Sequence, residues 1–428
     1  MEINHICVIG LGYIGLPTAS MFAKNGVRVT GVDSNPRVVE SLRQGRVHIH
    51  EPGLTDVVTS VLRDGTLTVA SAPVEADAFI IAVPTPFHED KTADLSHVRS
   101  AAASIVPVLC RGNLVVLEST SPPLTTQSVV KPILERTGFK AGEDFLLAYS
   151  PERVLPGQIL KELVENARVI GGINAASAQA GKAMYLKFVR GEVVLTDAAT
   201  SEMVKLMENT YRDVNIAIAN EFSRLAERLG VDIWEAISIA NRHPRVRILN
   251  PGPGVGGHCI SVDPWFLVES APDITHLIRT AREVNDSQPG FVFASLKKLL
   301  PSLQGRRVAA LGLAYKPDVD DLRESPSLEV VRQLVSSGAV VSAWEPFKPD
   351  FVIPGVKMAG SLEECIQDAE VLLLLVNHSQ LKALDPAALA ALTPARLVLD
   401  TVNTWPAQVW WDAGFTLKKL GNGKNSPR

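Results

Sequence analysis

HICVIGLGYIGLPTASMFAKNGVRVTGVD, residues 5–33, decides the fold. HICVIGL at 5–11 is an apolar β-run that carries a glycine near its end. PTASMFAKNG at 17–26 has a helical pattern closed by Asn25-Gly26 as a C-terminal cap, and VRVTGVD at 27–33 is a second strand. The strand-to-helix turn is Gly10-Leu11-Gly12-Tyr13-Ile14-Gly15, a GxGxxG. In such a turn the first glycine permits the tight bend and the second lets a pyrophosphate approach the backbone. The third lets helix and strand pack closely, and the helix N-terminus faces the anion. Asp33 closes the second strand, where a carboxylate accepts hydrogen bonds from ribose hydroxyls and repels a 2′-phosphate. The expectation is a dinucleotide site selective for NAD. Arg37, four residues further on, is either a solvated helix residue or a group that tolerates NADP.

Outward from this unit the alternation continues. AFIIAVPT at 78–85 and NLVVLEST at 113–120 are further apolar strands, each ending in hydroxyl residues. Continuous apolar strands between helices imply a parallel sheet covered on both faces. Thr85 and Thr120 fall at strand carboxyl ends, where cofactors dock in open parallel sheets. From about 199 to 240 the pattern changes, and TSEMVKLMENTYRDVNIAIANEFSRLAERLG at 200–230 reads as one long helix, with Met203, Leu206, Met207, Ile216, Ile218, Phe222 and Leu225 at roughly helical spacing. A loop, NPGPGVGGHC at 250–259, follows. Strand-like runs then resume at 306–314, 339–345, 370–376 and 396–402. The fold class is therefore α/β: an N-terminal Rossmann-type parallel sheet domain (1–198), a central long-helix region with the glycine loop (199–300) and a C-terminal Rossmann-like domain (301–420). A flexible tail at 421–428 completes the chain.

The 428 residues carry a formal net charge of −4, with 46% hydrophobic and 21% charged residues. This is the composition of a globular enzyme, without the basic excess of a nucleic-acid surface. The longest pure apolar run, VLLLLV at 371–376, is strand length and far short of a membrane span. The N-terminus, broken by glycines and lacking a basic leader, does not read as a signal peptide. Four scattered cysteines, Cys7, Cys110, Cys259 and Cys365, give neither metal-ligand spacing nor a disulfide framework. The expectation is no metal site, free thiols and a reducing cytoplasm.

Three of those cysteines sit in apolar runs and read as small buried hydrophobes. Cys259 lies in a loop too rich in glycine to pack a core and is followed by Asp263-Pro264-Trp265. A thiol there, beside a cation or a peptide dipole, is a candidate nucleophile. Neighbouring His258 is a weak partner, because adjacent side chains usually point apart. Lys205 and Asn209, spaced i and i+4, share one face of the long helix, either solvated or aimed at a site. Glu152, in Tyr-Ser-Pro-Glu-Arg after an apolar strand, is either a surface partner of Arg153 or a carboxylate able to activate water.

Taken together, GLGYIGLP, AVPTP, ESTSPP, SPERVLPGQ, EMVKLMENTYRDVNIA, PGPGVGGHCISVDPWF and LGLAYKPDVDDLRESP resemble the UDP-glucose/GDP-mannose dehydrogenase family in content and order. HPRV, YRDVNIA and GGHCISVDPWF are most similar to the members that act on UDP-N-acetyl-D-mannosamine. The resemblance implies NAD-dependent, four-electron oxidation at C6 of that sugar nucleotide to the uronate. Cys259 would be the covalent nucleophile, Lys205, Asn209 and Asp263 a polar catalytic cluster, and Glu152 the group that positions water. It further implies sugar-nucleotide contacts from Arg153, Val154, Leu155, Arg212, Gly256 and Lys316, and Arg323 near the cofactor. It also implies His243 and Arg245 reaching a neighbouring subunit's site, a homodimer or higher homo-oligomer, and a product that feeds surface polysaccharide synthesis. UDP-N-acetylglucosamine and UDP-glucose are the alternative substrates within the family. Outside it, a two-electron β-hydroxyacid dehydrogenase would leave Cys259 idle, and a non-catalytic NAD-sensing module would need neither Lys205 nor Asn209.

Overall fold

The computed structural model describes residues 2–257 and 259–424, so His258 lies outside the described residues. The chain packs as two compact units, one of Met1–Glu208 with Trp265–Pro272 and one of Asn209–Pro264 with Asp273–Arg428.

The first unit holds β1 (His5–Ile9), β2 (Arg28–Val32), β3 (Leu67–Ala70), β4 (Ala78–Ile81), β5 (Leu114–Leu117), β6 (Leu146–Tyr149), β7 (Arg168–Gly172) and β8 (Val193–Asp197). They form one sheet in the order β3-β2-β1-β4-β5-β6-β7-β8. Order reverses between β1 and β4, the crevice where open α/β sheets bind ligands. Both faces are covered, which is why the strands read as unbroken apolar runs. Ile6, Val8, Ile80 and Val116 belong to the core on one face, and Cys7, Ile9, Ile81 and Leu117 to the core on the other. The sheet is not wholly parallel as the sequence suggested, because β7 runs antiparallel to β6.

The second unit repeats the plan with β9 (Arg307–Leu311), β10 (Val340–Trp344), β11 (Val356–Met358), β12 (Val371–Leu374), β13 (Leu397–Asp400) and β14 (Thr416–Lys419). The order is β11-β10-β9-β12-β13-β14, with every pairing parallel. The expected α/β class, with two Rossmann-like sheets and a long central helix, is what the chain adopts.

The long helix is Ala198–Leu229, close to the stretch that its pattern marks. Gly230, at φ +73°, turns the chain, and Asp232 caps a separate helix, Ile233–Ala240, by accepting from the amides of Trp234 and Glu235. The apolar residues of the long helix divide between core and surface. Leu206 is buried, but Met203, Met207, Tyr211, Ile218, Phe222, Leu225 and Leu229 form an exposed stripe. The start of the expected flexible tail is anchored: the Gly421 carbonyl accepts from Ile233 N and Gly423 N donates to the Val231 carbonyl. Residues 425–428 lie outside the described residues.

Cys7 and Cys365 are buried hydrophobes, and burial pushes their thiols up to about 11 and about 12. Cys110 departs from that expectation: it sits exposed in the turn before β5, its amide donating to Asn113 Oδ1. Among the described residues no group of side chains is arranged to hold a metal ion, and no helix is long and apolar enough to cross a membrane.

Candidate active site

In the first unit the three glycines divide their work. Gly10 has φ +96°, and a methyl there would come within 2.4 Å of the Ala82 carbonyl oxygen. A methyl on Gly15 would sit 1.8 Å from the Gly10 oxygen. Gly12 faces no protein atom within 4 Å, so its missing side chain serves an approaching ligand instead of the fold. The helix Gly15–Lys24 begins directly behind it with no acidic residue in its first turn, leaving its positive end to an anion. Asp33 anchors the loop: Oδ2 accepts from Leu11 N at 3.0 Å and Oδ1 from Asn35 N at 2.8 Å. Tyr13 and Ile14 are half-buried and Arg37 is exposed. Thr85 Oγ1 donates to the Thr120 carbonyl at 2.6 Å, which joins the two strand-end threonines at the ends of β4 and β5. These residues fit an NAD pyrophosphate and ribose. Sequence reading missed His48, whose Nε2 lies 3.1 Å from the Leu11 carbonyl oxygen.

Glu152 follows β6 at the same end of the sheet. Its partner is not only its neighbour, as a surface pair would require. Arg153 donates its backbone amide to Oε1 at 2.8 Å, but the Arg153 guanidinium turns to Glu208 and to the Ala167 carbonyl. Glu152 Oε2 instead accepts from Arg168 Nη2 at 2.5 Å, and both side chains are buried. Val154 is half-buried and Leu155 exposed. Buried Glu51, also missed, holds the following loop by accepting from Gly157 N and Ile159 N, each at 2.8 Å. Lys205, on the long helix, is buried and not part of a solvated face.

In the second unit Cys259 is half-buried, one turn ahead of the helix Asp263–Ser270. Its carbonyl accepts from Asp263 N at 2.8 Å and Val262 N at 3.1 Å, so the thiol-bearing residue and Asp263 are locked into one turn. Asp263 accepts in turn from the Asn209 amide, and Asn209 Oδ1 accepts from the Arg212 guanidinium. Asp263 and Asn209 are each almost fully buried. The spacing of Asn209, Asp263 and Cys259 thus resolves into one connected set.

Glycine builds the loop before the cysteine. A methyl on Gly256 would lie 2.6 Å from the Glu324 oxygen, and Gly257, at φ +81°, packs on the Tyr315 ring and donates to the Arg323 carbonyl at 3.0 Å. Farther upstream, Gly252 is pinned by Asn220 Oδ1 and Gln288 Nε2. His243 and Arg245 are exposed in the turn after the helix Ile233–Ala240.

The first turn of the second sheet is also held by an acid. Glu345, at the end of β10, stands where Asp33 stands after β2. It accepts from Leu313 N at 2.7 Å and Ala314 N at 2.8 Å, with His378 Nε2 at 3.1 Å. Burial alone would raise its carboxyl, but His378 and the amides bring it below the ordinary value. One of these bonds repeats the first unit, where Asp33 accepts from Leu11 N. Lys316 beside it is half-buried, and the Arg323 guanidinium pairs with Asp321 through Nε at 2.9 Å and Nη2 at 2.6 Å.

Comparison with known proteins covers the whole chain. The UDP-glucose/GDP-mannose dehydrogenase family matches through its NAD binding domain over residues 4–189, its central domain over 199–287 and its UDP binding domain over 309–407. A UDP-N-acetyl-D-mannosamine dehydrogenase of Methanococcus maripaludis is 47% identical, covering 99% of this chain and 98% of that one. An NDP-N-acetyl-D-galactosaminuronic acid dehydrogenase of Ralstonia solanacearum is 46% identical over 95% of this chain and 98% of its own. The solved UDP-D-ManNAc dehydrogenase of Pyrococcus horikoshii superposes with a TM-score of 0.90 at 40% identity, covering 98% of this chain and 100% of that one. A glycine loop shaped for NAD, a cysteine turn locked to a buried Asp–Asn pair and three matching domains lead to one conclusion: the chain belongs to the UDP-glucose/GDP-mannose dehydrogenase family.

Proposed function

We propose that this chain is an NAD-dependent 6-dehydrogenase of UDP-N-acetyl-D-mannosamine. It converts the sugar nucleotide, two NAD and water into UDP-N-acetyl-D-mannosaminuronate and two NADH. The observation that carries the reading is the turn that locks the backbone of Cys259 to Asp263 and, through it, to Asn209, since a two-electron dehydrogenase has no use for a cysteine held beside a polar cluster.

Gly10, Gly12, Tyr13, Ile14, Gly15, Asp33, Thr85 and Thr120 would hold NAD, which when bound would supply the hydride acceptor for each oxidation at C6. Lys205 or Asp263 assists loss of the C6 hydroxyl proton. The Cys259 sulfur adds to the resulting aldehyde and forms a thiohemiacetal, whose oxyanion the Lys205 ammonium and the Asn209 amide stabilise. The second oxidation leaves a thioester. A water oxygen then bonds to the acyl carbon and gives a proton to Glu152, and the carbon–sulfur bond breaks to return the thiol and free the carboxylate. Arg153, Val154, Leu155, Arg212, Gly256 and Lys316 are assigned to the sugar nucleotide, and Arg37 and Arg323 to the cofactor side.

The working segments are 1–198, 199–300 and 301–420, in a cytoplasmic homodimer or higher homo-oligomer that places His243 and Arg245 near a partner's site. The exposed stripe from Met203 to Leu229 supports that assembly, because apolar residues in heptad-like spacing call for a covering surface.

The test is NADH production from UDP-N-acetyl-D-mannosamine, UDP-N-acetylglucosamine and UDP-glucose. The reading expects two NADH per sugar and a clear preference for the first. One NADH per sugar, or an equal rate with UDP-glucose, overturns it.

A further inference from the structure

Beyond Glu152 lies a buried charge cluster that the reaction as written does not use. The antiparallel register pairing Ala148 with Gly172 and Tyr149 with Gly171 runs on, three residues later, to Glu152 opposite Arg168. A parallel β7 would have carried Arg168 to the other end of the sheet, so the single antiparallel pairing brings this guanidinium to the carboxyl end. Arg168 Nη2 meets Glu152 at 2.5 Å. Its Nη1 donates to Ser150 Oγ at 3.1 Å and lies 3.4 Å from Glu118 Oε1. Glu118 Oε1 also accepts from the Tyr185 hydroxyl at 2.5 Å, and the guanidinium lies over the Tyr185 ring at 4.2 Å. The Glu118 Oε2 atom is buried with no hydrogen-bond partner among the described residues. Two carboxylates therefore share one cation among side chains almost closed to solvent.

We propose that Arg168 is a positioning residue for Glu152, and that Glu118 behind it sets how strongly Glu152 draws the proton from water, so that release of the acyl group depends on the whole Glu152–Arg168–Glu118 chain. This rests on the reading of Glu152 as the water-activating carboxylate. The charge balance gives the reason. One guanidinium neutralises one carboxylate, and the second must be protonated or held at a cost. Glu118 is the deeper of the two. Burial raises its carboxyl to about 7 against the pull of Arg168, and the charge of Glu152 adds to the rise. Below that pH Glu118 is neutral and Arg168 serves Glu152 alone. Above it Glu118 takes a share of the cation and loosens the hold of Arg168 on Glu152. The groups facing the cluster are Glu118 on β5's end, Ser150 and Glu152 after β6, Arg168 on β7 and Tyr185 on the helix Ala175–Tyr185. Tyr185 stays a neutral donor, because burial and Glu118 push its hydroxyl up. A lysine at 168 would keep the charge but lose the fork that reaches both acids.

The experiment mixes the full-length protein with NAD and UDP-N-acetyl-D-mannosamine, quenches it, and weighs the intact chain for an acyl group on Cys259. Glu152→Gln should accumulate the acyl-enzyme. Arg168→Lys should do the same, with kcat down about tenfold or more and KM for the sugar within about twofold of wild type. Glu118→Gln keeps an oxygen for Tyr185 and Arg168, so it tests the charge alone. Wild-type kcat should climb through neutral pH, whereas Glu118→Gln should stay at the lower plateau. Prompt acyl release by Arg168→Lys, or superimposable pH profiles for Glu118→Gln and wild type, overturns the proposal. Absence of the adduct in Glu152→Gln instead overturns the underlying reading of Glu152.

Discussion

Replacing Gly12 by alanine separates folding from cofactor binding. A methyl at Gly12 meets no protein atom within 4 Å, and its φ lies outside the left-handed region. Such a substitution is neutral or stabilises by about 0.4–1 kcal/mol by restricting the unfolded chain. The methyl does stand on the backbone that a pyrophosphate must approach. Losing one charge-assisted hydrogen bond there costs about 1.5–3 kcal/mol, or roughly ten- to more than hundred-fold in affinity. Gly12→Ala should therefore keep its melting temperature, raise KM for NAD by at least about tenfold and leave KM for the sugar nucleotide nearly unchanged. Gly15→Ala is the control. Its methyl would lie 1.8 Å from the Gly10 carbonyl oxygen, so it should lower the melting temperature whether or not NAD is present. Thermal melts and NADH-production kinetics at varied NAD decide the matter. A Gly12→Ala protein with wild-type KM for NAD, or one that melts as early as Gly15→Ala, would refute the division of labour among the glycines.

Cys259→Ser should lose overall turnover by at least about a hundredfold, about 2.7 kcal/mol in barrier, and yield fewer than two NADH per sugar; wild-type stoichiometry in that variant would remove the thioester. Met207→Asp, on the exposed stripe and away from the buried cluster, should convert the protein to monomers in sedimentation, and an unchanged mass would place any interface elsewhere. Glu227 is buried between Lys418 and Lys298, each at 3.0 Å, and although burial alone would raise its carboxyl the two ammonium groups hold it below the ordinary range. A carboxyl depressed by folding contributes stability above its unfolded value and loses it as pH falls through the folded one, so urea midpoints of Glu227→Gln should fall below wild type at neutral pH and converge with it in acid. Parallel curves at both pH values would discard that contribution.

The glycine loop was legible from residues 5–33 because strand, turn, helix and acid follow one another within a single βαβ unit, where spacing alone fixes geometry. Cys259 was legible for a related reason, as glycines exclude a core around it. Along the long helix, spacing showed that a stripe exists and not which surface covers it: Leu206 is buried, whereas Met203, Met207, Ile218, Phe222 and Leu225 are exposed. Arg168 was invisible: RVIGG reads as the start of an ordinary strand, and only its antiparallel pairing carries the guanidinium to Glu152. Glu118 was hidden in NLVVLEST, one residue past an apolar strand, where nothing local separates a solvated acid from a buried one. By itself, then, the sequence determined the class of fold, the dinucleotide turn and the candidate nucleophile, all set by contacts between residues close along the chain. Tertiary structure alone decided which acid meets which cation, where Asn209 finds Asp263 across more than fifty residues, and that Glu345 meets both His378 and the turn at Leu313. Those outcomes depend on strand order and direction, which long-range pairing of the backbone imposes and no short window of residues encodes.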